Sequence, residues 1–345
     1  MSEINYYRTD LIDESDEFVR HQTEQEEKKL KEMSGICVEE QTIGRIKATT
    51  VKVTAEGEEE IGKAKGTYIT LTIPTLAVHE IDELQALCEL VVEKMDTLIK
   101  EKLPGDVKKV LCVGLGNREI TPDAVGPAVM DYVKEVIPDY YEADESGVMV
   151  YAPGVTIQTG LETASFVKAI VDQSKPDLLL VVDALAARSS ARLCRTVQLT
   201  DTGIHPGSGV GNSRKELSEK SLGIPVIAIG VPTVVDGPVL VADAIDTMFG
   251  YIAARIEEES MPSSKLSTGR FPQRSTKDAD RTALGPIFGD WSSWTHEERI
   301  QLFEEVLTNQ ELATFISPKE IDSWVANYAI ALSSSLITWI HKVNA

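Results

Sequence analysis

The chain is poor in cysteine, in basic residues and in long apolar runs. Its four cysteines among 345 residues, Cys37, Cys88, Cys112 and Cys194, are scattered and show no Cys-x-x-Cys spacing. That argues against a zinc ribbon and against a disulfide framework. None of the four has a histidine nearby in sequence, so an activated Cys–His nucleophile finds no support. Lysine and arginine number 34 against 55 aspartates and glutamates, a formal charge of −21. Such a field repels phosphate backbones and anionic lipid, so neither nucleic acid nor a membrane is expected as a partner. Solubility alone accounts for the charge equally well. No apolar run approaches the roughly 18 residues of a membrane helix. Residues 1–20 are polar and lack the apolar core of a signal peptide, so a cytoplasmic location is expected. No Gly-x-Ser-x-Gly elbow is present.

Hydrophobic residues make up 42%, enough for a sizeable core in one large domain or two ordinary ones. Thr23 and Glu26 have capping-box spacing, which predicts a helix over 23–31. Alternating runs at 48–54 and 67–73 flank a polar, glycine-containing segment and predict a β-hairpin. Ile81, Leu84, Cys88, Val91, Met95 and Leu98 form a helical stripe. From Lys108 onward, short apolar strands at 110–113, 148–151, 178–182 and 226–229 alternate with helices at 127–136, 161–172 and 239–257. Strands buried on both faces and separated by helices indicate an α/β fold with a mostly parallel sheet. Residues 261–282, rich in Ser, Thr, Pro and basic residues, read as a linker, and 283–345 as a C-terminal helical segment.

In open α/β sheets function gathers at the carboxyl ends of the strands. The loop from Gly114 to Pro127 follows a strand and resembles a dinucleotide loop. Glu119 stands where the third glycine belongs, which breaks the fingerprint. A nucleotide- or flavin-binding module is therefore a weak alternative. Asp123 sits there near a helix start, either as an N-terminal cap or as a functional carboxylate. Asp183 closes the apolar run 178–182, again as a cap or as a poorly solvated acid. The segment 201–215 is too glycine-rich for an ordinary connector, yet Asn212 follows Gly211 where a P-loop needs lysine. Asp201-Thr202-Gly203 repeats the tripeptide of pepsin-like proteases, but that fold is all-β and pairs two copies, whereas one copy stands here. The chemistry left is a carboxylate pair, Asp123 and Asp183. Two close carboxylates sharing one proton provide a base and an acid, which suits attack of water on an amide.

Several runs together resemble the germination protease family of spore-forming bacteria. They are Gly114-Leu115-Gly116-Asn117, Thr121-Pro122-Asp123-Ala124, the run from Val182 to Arg188, the glycine-rich stretch 201–212 and the stretch 223–236. The resemblance implies an endopeptidase that starts degradation of small acid-soluble spore proteins in the spore core. It implies a homotetramer made as a zymogen without a cofactor, with Asp123 and Asp183 as catalytic residues. It places a propeptide at 1–10, a catalytic domain with the added hairpin at 11–260, and a processing site between Asp10 and Leu11. The family cuts after an acidic residue and before a hydrophobic one. Arg188, Arg192, Arg214 and Lys215 are then candidate holders of substrate carboxylates, or else solvated surface charges, and His205 is a further candidate in the glycine-rich loop. More distantly, the chain is similar to hydrogenase-maturation peptidases, with their phosphorylase/hydrolase-like fold. That likeness implies the alternative of a metal-dependent peptidase using Asp123, Asp183 and a histidine; the expectation for this chain is no metal.

Overall fold

A computed structural model describes residues 34–73, 81–137, 147–155, 162–206, 215–260, 281–308 and 315–344. The expected helix at 23–31, Asp10, Leu11, Arg214 and most of the expected linker lie outside the described residues. In chain order the strands are β1 (Ile36–Ile43), β2 (Ile46–Val53), β3 (Gly66–Thr72), β4 (Lys109–Gly114), β5 (Gly147–Tyr151), β6 (Leu178–Ala187), β7 (Thr196–Thr200), β8 (Val226–Asp236) and β9 (Phe315–Ile316). The main helices are α1 (Ala55–Ile61), α2 (Ile81–Lys102), α3 (Val125–Val136), α4 (Thr163–Ser174), α5 (Gly237–Ser260), α6 (His296–Thr308) and α7 (Ile321–Asn344).

The strands form one mixed sheet in the order β1-β2-β3-β7-β8-β6-β4-β5, with β9 added to β8. Its parallel part is β5-β4-β6-β8, the apolar strands separated by helices. The hairpin is present, since β2 and β3 pair antiparallel from Lys47↔Thr72 to Val53↔Gly66. It extends the parallel part into an antiparallel wing through β7 on one side and gains β1 on the other. Two local expectations are corrected. The segment between β2 and β3 is the helix α1, not a polar loop; it is closed by Gly62 in a left-handed conformation, φ 66°. The run that was expected to end at Val182 continues through Asp183 to Ala187, because β8 goes on pairing with it past a register shift at Leu185/Ala186.

Alternation along β6 divides the core. Leu178, Leu180 and Val182 pack on the face covered by α2, α3 and α7, with Val91, Met95, Val129, Leu332 and Trp339. Leu179 and Val181 pack on the opposite face against Val167 and Val171 of α4. The expected stripe on α2 serves the first face: Val91, Met95 and Leu98 are fully buried. Cys112 lies in the same core as expected, and burial pushes its thiol up to about 12. Among the described residues no helix is long and apolar enough to cross a membrane.

Candidate active site

The two aspartates come to the same end of the parallel strands by backbone contacts that only glycine permits. Strand β4 stops at Gly114, opposite Val182 of β6, and the next amide, Leu115 N–H, donates to the Val182 carbonyl at 2.8 Å. Asp183 is therefore the first β6 residue beyond the end of β4. It is buried, and one carboxylate oxygen accepts the Ala184 N–H at 2.9 Å. A carboxylate is costly to bury, so its place there asks for a reason.

Beyond Leu115 the chain turns at Gly116, φ 112°, which favours glycine. The turn aims Asn117 N–H at Asp123 Oδ2, 2.7 Å away, and the Asn117 side chain accepts the Glu119 N–H at 3.0 Å. Asp123 closes the short 3-10 turn Thr121–Asp123. Helix α3 has Ala124 at its N-cap and no side-chain cap, so the capping reading of Asp123 is excluded in favour of the bond back to Asn117. Gly126, in the first turn of α3, seats the helix on both strand ends. A Cβ there would lie 2.2 Å from Leu115 O and 2.5 Å from Val182 O. Gly116 similarly abuts Asp123, with a notional Cβ 2.0 Å from its carbonyl oxygen. The Asp123 loop, the Asp183 strand and the start of α3 are thus one packed unit.

Next to this unit, between the ends of β4 and β5, opens a cleft of about 510 Å³. Its described lining is Gly116, Arg118, Glu119, Pro127, Ala152, Pro153 and Gly154. It borders the Asp123 loop through Gly116 and is not lined by either aspartate. Arg118 is paired with Asp131 through both terminal guanidinium nitrogens.

The expected cations fall elsewhere. Arg188 follows the last residue of β6 and acts on Glu304, whose carboxyl is pushed up by burial and by Asp236 and drawn down by Arg188. Arg192 ends the turn Ser190–Arg192. Lys215 is engaged by Glu162: its N–H donates to Oε1 at 3.2 Å and its ammonium lies 3.2 Å from Oε2. His205 Nε2 is 3.7 Å from Glu216 Oε2. Just inside these two residues, Ile204 and Leu217 exchange backbone hydrogen bonds of 3.0 and 2.8 Å, closing the glycine-rich segment at its base. Among the described residues no three His, Cys, Asp or Glu side chains are grouped to hold a metal ion.

The Asp-Thr-Gly tripeptide is structural. Asp201 Oδ1 accepts the Thr67 N–H at 2.7 Å, tying β3 to the end of β7, and Lys102 lies 3.7 Å from Oδ2. Burial raises the Asp201 carboxyl, while the Thr67 N–H and Lys102 draw it down. Asp201→Asn keeps the acceptor for Thr67. It is expected to leave kcat/KM within about twofold of wild type and Tm nearly unchanged, as measured by peptide cleavage and thermal melting. A large loss of activity would return this tripeptide to the chemistry.

Known proteins place the chain among the peptidases. A family model described as germination protease matches residues 12–345. The chain belongs to the germination protease family. It is 36% identical to the germination protease of Geobacillus sp. (strain WCH70), over 97% of this chain and 94% of that one. It is 37% identical to the germination protease of Oceanobacillus iheyensis, with the same coverage, and 35% identical to that of Bacillus subtilis, over 99% and 95%. The [NiFe] hydrogenase maturation protease HycI of Thermococcus kodakarensis aligns with 39% of this chain and 80% of its own. Its identity is 20% and its TM-score 0.28, a likeness too slight to carry residues or chemistry across.

Proposed function

We propose that the chain is an endopeptidase that starts degradation of small acid-soluble spore proteins at germination, with Asp123 and Asp183 as its acid–base pair. The supporting observation is the packed unit of the Asp123 loop, β6 and α3, which holds both carboxylates at one end of the parallel strands. One carboxylate takes a proton from water as the water oxygen bonds to the scissile carbonyl carbon. The other gives its proton to the amide nitrogen as the C–N bond breaks, leaving a carboxylic acid and an amine. No cofactor enters this sequence. The enzyme works in the spore core as a homotetramer. Small, flexible substrates suit it, because an extended chain enters a cleft that a folded domain cannot.

The test is to incubate the processed protein with a small acid-soluble spore protein, with and without a chelator, and to sequence the products. Cuts after an acidic residue and before a hydrophobic one, persisting under exhaustive chelation, are expected. Loss of activity on chelation with rescue by one transition metal would favour the metal-dependent peptidase instead.

The same cleavage rule describes Asp10-Leu11 in this chain. Self-cleavage there is expected, yielding a mature chain that begins Leu11-Ile12-Asp13. Mild acid promotes it, since protonation relieves repulsion among the many carboxylates and helps the pair hold its shared proton. N-terminal sequencing after acidification, beside the Asp183→Asn variant, is the check. A terminus that stays at Met1 or Ser2 in the wild type would defeat the zymogen.

A further inference from the structure

Asp183 has an unexplained neighbour across the sheet. In the cross-strand register Asp183 of β6 pairs with Gly230 of β8, and Gly230 pairs with Gln198 of β7. Directly paired residues project to the same face of a sheet. Asp183 and Gln198 therefore stand on one face, about 10 Å apart at two strand spacings. Gly230 between them carries no side chain. Gln198 is 1% exposed, and neither Nε2 nor Oε1 of its carboxamide has a hydrogen-bond partner. Thr196, two residues earlier and on the same face, is equally buried, with its hydroxyl unpartnered. A buried carboxamide with both ends unpaired is a costly thing for a fold to keep.

We propose that Gln198 is a substrate-binding residue of this site. It pairs with a backbone peptide group of the bound polypeptide, across Gly230 from Asp183. Nε2 donates to the substrate carbonyl and Oε1 accepts the substrate N–H. A carboxamide presents donor and acceptor side by side, which matches a peptide group in any sequence, whereas a lone cation or anion would use half of it. The side chain is closed off in the unliganded chain, so peptide binding has to expose it. The inference rests on Asp183 acting in the acid–base pair.

The test pairs a variant with modified substrates. Gln198→Met keeps the volume and removes both polar atoms; Gln198→Leu is read in the same way if the methionine variant does not fold. Cleavage is followed with a peptide spanning a spore-protein cut site, and with a series in which each backbone amide in turn is replaced by an ester. Gln198→Met is expected to melt no lower than wild type and to lose roughly 10- to 100-fold in kcat/KM. Wild type is expected to show a comparable loss with one ester, and the variant no further loss with that same ester. Wild-type kcat/KM in a folded variant, or losses that simply multiply at every position, would overturn the proposal. Asp183→Asn is assayed alongside. If it cleaves normally, the acid–base reading fails, while the ester comparison still reports on Gln198.

Discussion

Asp123→Asn and Asp183→Asn are each expected to lower kcat/KM by about 10²–10⁴-fold with little change in Tm. Asparagine matches aspartate in shape but neither takes nor gives the proton that hydrolysis requires. The local structure survives the exchange. In Asp123→Asn a side-chain oxygen still accepts the Asn117 N–H, and in Asp183→Asn one still accepts the Ala184 N–H. Removing a buried carboxylate even lightens a desolvation cost at position 183. The double variant should fall little below the worse single one, because groups acting as one unit are not additive. Rates on a purified spore protein, with circular dichroism and thermal melts, separate lost chemistry from lost fold. A folded variant with wild-type kcat/KM would remove that aspartate from the mechanism.

Gly116→Ala should be nearly as damaging to activity although it removes no ionisable group. The residue sits at φ 112°, and its new methyl would lie 2.0 Å from the backbone oxygen of Asp123. Backbone cannot swing aside as a flexible side chain can, so the Asp123 turn must shift. A loss of roughly 10²-fold is expected, the scale on which misplacing a catalytic group by an ångström acts. Gly62→Ala is the control. Gly62 also has a positive φ, 66°, but nothing lies within 4 Å of its notional Cβ. It should cost about 1–2 kcal/mol of stability and leave kcat/KM intact. Equal activity in the two variants would mean that the turn does not hold Asp123.

What could be read from the residues depended on how each strand is buried. Parallel strands buried on both faces, 110–113, 178–182 and 226–229, announce themselves by continuous apolar character, and they positioned Asp123 and Asp183 near strand ends. Strand β7 escaped notice because Thr196, Gln198 and Thr200 make one of its faces polar, the mark of a solvent-facing strand, yet all three are buried. The clue to Gln198 was pairing, which a sequence does not display. Strand β1 is an edge strand, with Glu39, Glu40 and Gln41 exposed, and carries almost no hydrophobic signal. Asp183 was expected at a strand terminus because a charge after five apolar residues marks one; the ladder to β8 carries the strand on regardless. Asn117, whose amide anchors Asp123, drew attention only as part of a family-like run. A backbone donor has no residue-specific signature.

The place of α7 in the core has a consequence for how the molecule is made. Trp339, Leu336, Leu332 and Tyr328 are buried in the same cluster as Val91, Met95 and Met130. The Tyr328 hydroxyl donates to the Cys194 carbonyl at 2.9 Å, and Trp339 Nε1 to Asp96 at 3.3 Å. Every one of those partners precedes α7 in the chain, and a ribosome adds only about 5–20 residues per second. Strands β1 to β8 and both aspartates therefore leave the ribosome seconds before the helix that roofs their sheet. During that interval one face of the sheet lacks its cover, and the nascent chain cannot yet be a finished peptidase. A premature stop ahead of codon 321 is therefore expected to yield an aggregation-prone fragment in place of a shorter enzyme.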